Sequence, residues 1–202
     1  MIMKYILNRL LPLVIILNFS ACSKSGNDNQ KVTTGLQLTM TDSLGNKMTG
    51  ATVALYSTSA DWANRTNPVA TAVTDAGGIV NFDSLQAIPY FWYASLDCRN
   101  NSTGIYTTNV PLTLNKTTTI TTVLYEKGKI QFVNNSADPY QIYVNGILVL
   151  TQNGHVTSAI DNMPIGSYSV RVLQVSGYTT SPKDETFTGS ITCGSTLTIT
   201  FP

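Results

Sequence analysis

The segment Thr74-Asp75-Ala76-Gly77-Gly78-Ile79-Val80-Asn81-Phe82-Asp83-Ser84-Leu85 decides the fold. Asp75 through Gly78 supplies turn chemistry, and Ile79 to Phe82 is short enough for one strand. Outward from this point the dominant period is two residues. Leu36, Leu38 and Met40 alternate with Gln37, Thr39 and Thr41, as in a half-buried antiparallel strand. Asp42-Ser43-Leu44-Gly45-Asn46-Lys47 reads as a turn, and Ala51, Val53 and Leu55 resume the alternation up to Tyr56. Residues 57–67 read as a polar loop carrying Trp62, and Val69 to Thr74 as the strand leading into the central turn. Downstream, Tyr90 to Asp97 is strongly aromatic, Ile105 to Val110 is short, and Thr117 to Leu124 is Thr-rich. No helical repeat emerges at any length. Seven short strands with turn signals between them predict a β-sandwich.

Composition agrees with that class. The 202 residues are 43% hydrophobic and only 11% charged, against roughly 25% charged in an ordinary soluble domain. Thr, Ser, Asn, Val and Tyr fill the space that Lys and Glu usually occupy, which favours strands. Twelve basic and eleven acidic residues leave a net charge of +1. Such a balance offers no basic footprint for nucleic acid, and the apolar content argues against disorder.

The order of signals in the first half resembles the carboxypeptidase regulatory-like (prealbumin-like) family. The matching pieces are Asp42 with Gly45, Gly50-Ala51-Thr52-Val53-Ala54-Leu55, and the segment Thr74 to Leu85. Ala87-Ile88-Pro89-Tyr90 stands where the family usually has Gly before the Tyr of its long strand. The resemblance covers about residues 34–125. It implies a sandwich fold and an accessory or adhesive module, and specifies no activity.

Glu126-Lys127-Gly128-Lys129 reads as a short charged hinge into a second unit. Ile130 and Phe132 alternate with Gln131 and Val133, then Tyr140, Ile142 and Val144 with Gln141 and Tyr143. Asn145-Gly146 is a strong hairpin signal, since both residues tolerate positive φ. Ile147–Leu150, Val156–Ile160, Tyr168–Val175 and Thr196–Phe201 supply the other expected strands. Tyr143-Val144-Asn145-Gly146, Asn162-Met163-Pro164-Ile165-Gly166-Ser167-Tyr168-Ser169-Val170 and Ser176-Gly177-Tyr178 together resemble the PEGA-type domain of cell-envelope proteins. The family's Thr-Pro after the hairpin is replaced by Thr151-Gln152-Asn153-Gly154.

The first residues read as an address and an anchor. Lys4 and Arg9 precede the apolar run Leu10 to Leu17, which is followed by Asn18-Phe19-Ser20-Ala21-Cys22. The run is too short to span a bilayer, which needs about twenty residues. Ser20-Ala21-Cys22 resembles the lipobox of bacterial lipoproteins. Phe19, where Leu is usual, is closer to the looser Bacteroidota pattern. The resemblance implies loss of residues 1–21 and lipidation of Cys22, with acyl chains worth about 0.8 kcal/mol per buried CH₂. Loss of Lys4 and Arg9 leaves ten basic residues against eleven acidic, a net charge of −1. Residues 22–33 read as a flexible polar tether. Ser23 is not the Asp that retains enterobacterial lipoproteins in the inner membrane, so the resemblance implies the outer membrane.

The candidate chemistry is sparse. His155 is the only histidine and lies in the loop Gln152-Asn153-Gly154-His155. A catalytic triad or most zinc sites would need more partners than one imidazole offers, and there is no Gly-x-Ser-x-Gly elbow. It reads as a solvated loop residue. Asp184-Glu185 reads as a solvated turn after Pro182, and Asp75 to Gly78 lacks the further oxygen ligands of a calcium loop. Catalytic residues, metal and cofactor are each expected to be none. Cys98 and Cys193 remain beside Cys22. An oxidising envelope permits their disulfide, but their places in different units favour two separate thiols.

In Tyr90-Phe91-Trp92-Tyr93, Tyr90 and Trp92 point one way and Phe91 and Tyr93 the other. Large aromatics commonly fill a sandwich core. Trp62, Trp92 and Tyr93 are nonetheless the candidate ligand contacts, as stacking faces for sugar rings. Asp42-Ser43-Leu44 and Asp83-Ser84-Leu85 resemble the Bacteroidota O-glycosylation acceptor, which makes Ser43 and Ser84 candidate modification sites.

The expected architecture is therefore all-β, with two tandem antiparallel β-sandwich domains of Ig-like or prealbumin-like type. A lipoprotein signal peptide spans 1–21, a lipidated tether 22–33, a carboxypeptidase regulatory-like sandwich 34–126 and a PEGA-like sandwich 127–202. The expected function is non-catalytic: a membrane-anchored lipoprotein presenting its loops to a glycan or protein partner, and no nucleic acid. The rival is a structural or assembly component that pairs through a sheet edge. A hydrolase is disfavoured by the missing residues. An exposed Trp62–Tyr93 patch would favour glycan binding, and a long unprotected edge strand would favour assembly.

Overall fold

A computed structural model describes residues 33–202. The signal peptide, Cys22 and nearly all of the expected tether lie outside the described residues. Fourteen strands and one short helix follow: β1 (Gly35–Thr41), β2 (Thr52–Tyr56), α1 (Ser59–Asn64), β3 (Ala70–Val73), β4 (Ile79–Phe82), β5 (Phe91–Leu96), β6 (Arg99–Asn100), β7 (Thr117–Val123), β8 (Tyr125–Asn134), β9 (Tyr140–Val144), β10 (Ile147–Gln152), β11 (Thr157–Pro164), β12 (Gly166–Gln174), β13 (Asp184–Ile191) and β14 (Thr196–Phe201). The protein is all-β in class.

Two hydrophobic cores form between three sheets. The first lies between the sheet β4-β1-β7 and strands β2 and β5, and includes Leu36, Leu38, Met40, Val53, Leu55, Phe82, Trp92 and Leu124. The second lies between the sheet β10-β9-β12-β13 and strands β8 and β14, and includes Ile130, Phe132, Tyr140, Ile142, Val170, Val172 and Phe201. Most pairs are antiparallel. The exceptions are the pairs β1–β7 and β8–β14, which run parallel, so β1 has one antiparallel and one parallel neighbour.

The central segment folds as its residues require. Asp75 Oδ1 accepts the N–H groups of Gly77 at 2.8 Å and Ile79 at 2.9 Å. Gly78 has φ +69°, and a Cβ there would sit 2.7 Å from Met40 O and 3.0 Å from Met48 N. Only glycine allows that approach. Thr74 is buried: its Oγ1 accepts from Ala51 N–H at 2.9 Å and donates to Met48 O at 2.5 Å. Asp42 repeats the Asp75 arrangement, accepting Leu44 and Asn46 N–H groups on Oδ1, each at 2.9 Å. At the second-half hairpin, Asn145 and Gly146 have φ +49° and +80°, as a two-residue primed turn demands.

Several expectations change. Residues 126–129 form no hinge, because they belong to the continuous strand β8. Tyr125 and Glu126 pair with Asn100 and Arg99 in β6, while Lys127 to Asn134 pair with β11 and β14. One sheet, ordered β11-β8-β6-β5-β2-β3, therefore runs through both halves. The loop 57–67 contains helix α1, whose N-cap Thr58 accepts from Asp61 N–H at 3.1 Å. This is a local capping contact that a two-residue period does not reveal. Ile105 to Val110 forms no strand, only the single bridge Thr107–Phe91. The buried Asn101 side chain fills the gap, accepting from Ala94 N–H at 2.9 Å and donating to Trp92 O at 3.2 Å. Asp184-Glu185 opens strand β13 instead of forming a turn. Asp184 accepts two bonds from Arg171 across the sheet, at 2.7 and 2.6 Å.

Candidate functional site

Backbone alternation sorts the aromatic segment. Trp92 is 1% exposed, and its Nε1 donates to Thr122 Oγ1 at 2.9 Å. It is a core residue and is corrected as a ligand contact. Tyr90 points the same way and is buried, while Phe91 and Tyr93 are half-buried on the other face.

Helix α1 brings Trp62 to that face. Its Nε1 donates to Trp92 O at 3.0 Å. Arg65 follows the helix with φ +56° and sets its guanidinium 4.7 Å from the Trp62 ring centre and 4.0 Å from that of Tyr93. The guanidinium also donates to Trp62 O. Trp62 and Tyr93 are therefore brought together, with a cation set over both rings. Burial raises the Tyr93 phenol above its usual pKa, and the nearby Arg65 charge opposes that shift. The aromatic surface available to a sugar is correspondingly reduced. Arg65 carried no signal in the two-residue pattern, because its position depends on the helix.

The junction of the two halves is held by several bonds that its composition does not announce. Lys127 N–H donates to Cys98 O at 2.8 Å, and Lys127 O accepts from Gly194 N–H at 2.8 Å. One residue thus bonds first-half backbone with its donor and second-half backbone with its acceptor. Cys98 and Cys193 flank this point and are joined by a disulfide with Cα atoms 5.5 Å apart. The expectation of separate thiols fails because the shared strand places both cysteines beside Lys127. Arg99 forms an ion pair with Glu126, and Asn100 Nδ2 donates to Asn162 Oδ1 at 2.7 Å. Gly128 permits the close packing: a Cβ there would overlap Ile191 Cγ2 and lie 2.6 Å from Ser195 O.

A cavity of about 280 Å³ at this junction is lined by Ser43, Thr103, Tyr125, Glu126, Lys127 and Ile165, among others. Lys127 is 5% exposed and its Nζ donates to Thr103 Oγ1 at 3.0 Å. Desolvation lowers its pKa from the usual lysine value. Among the described residues, no group of three His, Cys, Asp or Glu side chains could hold a metal ion. His155 lies on an exposed turn with φ +55°. Ser43 and Ser84 are both exposed, Ser43 within the Asp42 turn and Ser84 at φ +57°. No described helix is long and apolar enough to cross a membrane.

The sheet edges differ in protection. Strands β3 and β4 have four residues each. β10 and β11 carry register shifts, and β11 ends in Pro164. β13 begins with Asp184 and Glu185. By contrast β7, Thr117-Thr118-Thr119-Ile120-Thr121-Thr122-Val123, pairs with β1 over all seven residues without a shift. It contains no charge, Pro or Gly, the devices that usually blunt an edge.

No family model matches the chain, and no curated protein matches it. Among solved structures, the chain is similar to a streptococcal ancillary pilin at 18% identity and TM-score 0.40, covering 85% of this chain and 63% of the pilin. It is similar to the Bacillus anthracis TIE protein at 16% identity and TM-score 0.37, covering 83% of this chain and 33% of that one. A minor pilin of Streptococcus agalactiae matches at 13% identity and TM-score 0.37, covering 83% of this chain and 94% of that one. The chain thus spans less than two thirds of the first two proteins.

Proposed function

We propose that this chain is a non-catalytic, membrane-anchored envelope lipoprotein acting as a structural or assembly component through a sheet edge. The observation that carries the reading is β7, a regular seven-residue edge with none of the usual protections. Such an edge receives an extended segment by backbone hydrogen bonding. The glycan reading draws less support, because Arg65 lies over the faces of Trp62 and Tyr93. The fused sheet and the junction disulfide suit a part that must keep one shape while bound.

In this reading Cys22 carries the lipid, residues 23–33 give reach, and the outer membrane is the site of action. The carboxypeptidase regulatory-like and PEGA-like assignments of the two halves belong to the same proposal. Ser43 and Ser84 are exposed enough to accept glycans as modifications.

The test is native electrophoresis of the full chain extracted from membranes in mild detergent, with Cys22→Ala as the anchoring control. Thr119→Lys is expected to collapse a high-mass species that Trp62→Ala leaves intact. Saturable glycan binding lost in Trp62→Ala, with no effect of Thr119→Lys on assembly, would reverse the assignment.

A further inference from the structure

Resting on the assembly reading, we infer that the occupant of the β7 edge is a second copy of this chain, paired antiparallel about a two-fold axis at Ile120. The backbone sets which groups are free. Gly35 N–H donates to Lys116 O at 3.0 Å, and Leu124 N–H donates to Thr41 O at 2.8 Å. Alternate residues of a strand turn their amides to the same side. Even-numbered residues from 116 to 124 therefore face β1, while Thr117, Thr119, Thr121 and Val123 turn their N–H and C=O groups to the free edge. The three threonines among these are also exposed.

The sequence of the edge is nearly palindromic about Ile120: Thr119 mirrors Thr121, Thr118 mirrors Thr122, and Thr117 mirrors Val123. Antiparallel self-pairing sets Thr119 of one copy opposite Thr121 of the other, with outward amides meeting outward amides. About eight backbone hydrogen bonds result, two for each facing pair, and Thr–Thr cross-strand pairs add to them.

Charge also favours a second copy. The seven residues carry none, and the nearest basic residue, Lys116, would stand at opposite ends of the paired strands. Eight residues at about 3.4 Å each separate the two lysines by roughly 27 Å, several screening lengths at physiological salt. Other edges fit self-pairing less well. β13 carries Asp184, Glu185 and Gly189 and has no mirror order about its centre, and β14, although uncharged, is a residue shorter, lacks that order too and sets Leu197 against the Gly189 position of β13.

The experiment uses two differently tagged copies of the full chain, co-expressed and extracted from membranes. Wild-type copies are expected to co-purify. Thr119→Lys/Thr121→Lys copies, and separately Thr119→Glu/Thr121→Glu copies, are expected to lose co-purification by at least about tenfold, because like charges then face each other. Mixing the Lys copy with the Glu copy restores it, which a misfolded variant could not do. Thr198→Lys on β14 leaves it unchanged. Loss of pairing with Thr198→Lys, or failure of the charge-swapped mixture to recover, overturns the proposal.

Hydrogen exchange at residues 117, 119, 121 and 123 in membranes separates this proposal from the reading beneath it. Protected amides without co-purification mean that a different chain occupies the edge, so the second copy is wrong and the assembly reading stands. Free exchange without co-purification removes both.

Discussion

The two sandwiches place their buried polar groups differently. In the first, these groups are scattered: Thr74, just past β3, ties Ala51 to Met48, Thr122 in β7 receives the Trp92 indole, and Asn101, just past β6, bonds the β5 backbone at Ala94 and Trp92. In the second they gather at one end. Asn134, Gln152 and Gln174 are the last residues of β8, β10 and β12, and each is buried. Asn134 Nδ2 donates to Asp138 O at 2.8 Å, Gln174 Nε2 to Asp138 Oδ2 at 2.8 Å, and Gln152 Nε2 to Phe132 O at 3.2 Å. The first half therefore spreads its side-chain bonds over separate strands and turns, whereas the second concentrates them where its strands end. A buried amide left without its partner costs about 1–3 kcal/mol in either setting. In the first half that cost falls in the middle of the core.

The shared strand gives the severest test of this contrast. Gly128→Val would drive a side chain into Ile191 and the Ser195 carbonyl. It should destabilise the protein by about 4 kcal/mol or more, with amide protection falling in β8 and its neighbours in both halves. Protection lost in one half alone would mean that β8 does not couple them. Trp92→Ala should cost about 3–5 kcal/mol by chemical denaturation. Its exchange signature should appear in β1, β2 and β5 first, and Phe132→Ala should give the reverse pattern in β9 and β12.

Replacing Cys98 and Cys193 by Ala should cost about 2–4 kcal/mol and split one unfolding transition into two. A single transition retained in that variant would assign the coupling to backbone pairing alone. Thr74→Val should lower stability by about 1–3 kcal/mol, because it strands the Ala51 N–H and the Met48 carbonyl. Urea titration would measure that loss.

The smallest effect concerns acid. The Asn46 side-chain bond to Asp42, the Thr58 bond to Asp61 and the Arg171 bond to Asp184 hold these carboxyls below their usual pKa. A lowered folded pKa means a contribution that is present above the unfolded value and lost as pH falls through the folded one. Two of these three groups are in the first half, which should soften first on acidification. Thermal melts of wild type and Asp42→Asn between neutral and acidic pH would test this, with the variant flatter.

Much of the fold was legible where a residue's role depends on near neighbours. The Asp75 turn, the Asn145-Gly146 hairpin and the alternation in β1, β5 and β9 all follow from local chemistry. The run Asp184 to Ile191 does not announce a strand, because only Phe187 and Ile191 are large and apolar there. Its pairing with β12 supplies what its composition lacks. The junction was hidden for a related reason: Glu126-Lys127-Gly128-Lys129 has the composition of a linker. The available clue was arithmetic, since two cysteines are left when Cys22 is assigned to lipid. At the aromatic face, alternation placed Trp92 and Tyr93 on opposite sides. It could not place Arg65, whose position depends on a helix only six residues long.

The disulfide also sets how the molecule answers tension. A pull applied between residue 33 and Pro202 meets a covalent shortcut from Cys98 to Cys193, a sequence separation of 95. At about 3.5 Å per extended residue, roughly 330 Å of chain is withheld from lengthening. The strands between the two cysteines, β6 to β13, would be spared such a load, so any give must come from β1 to β5 and from β14.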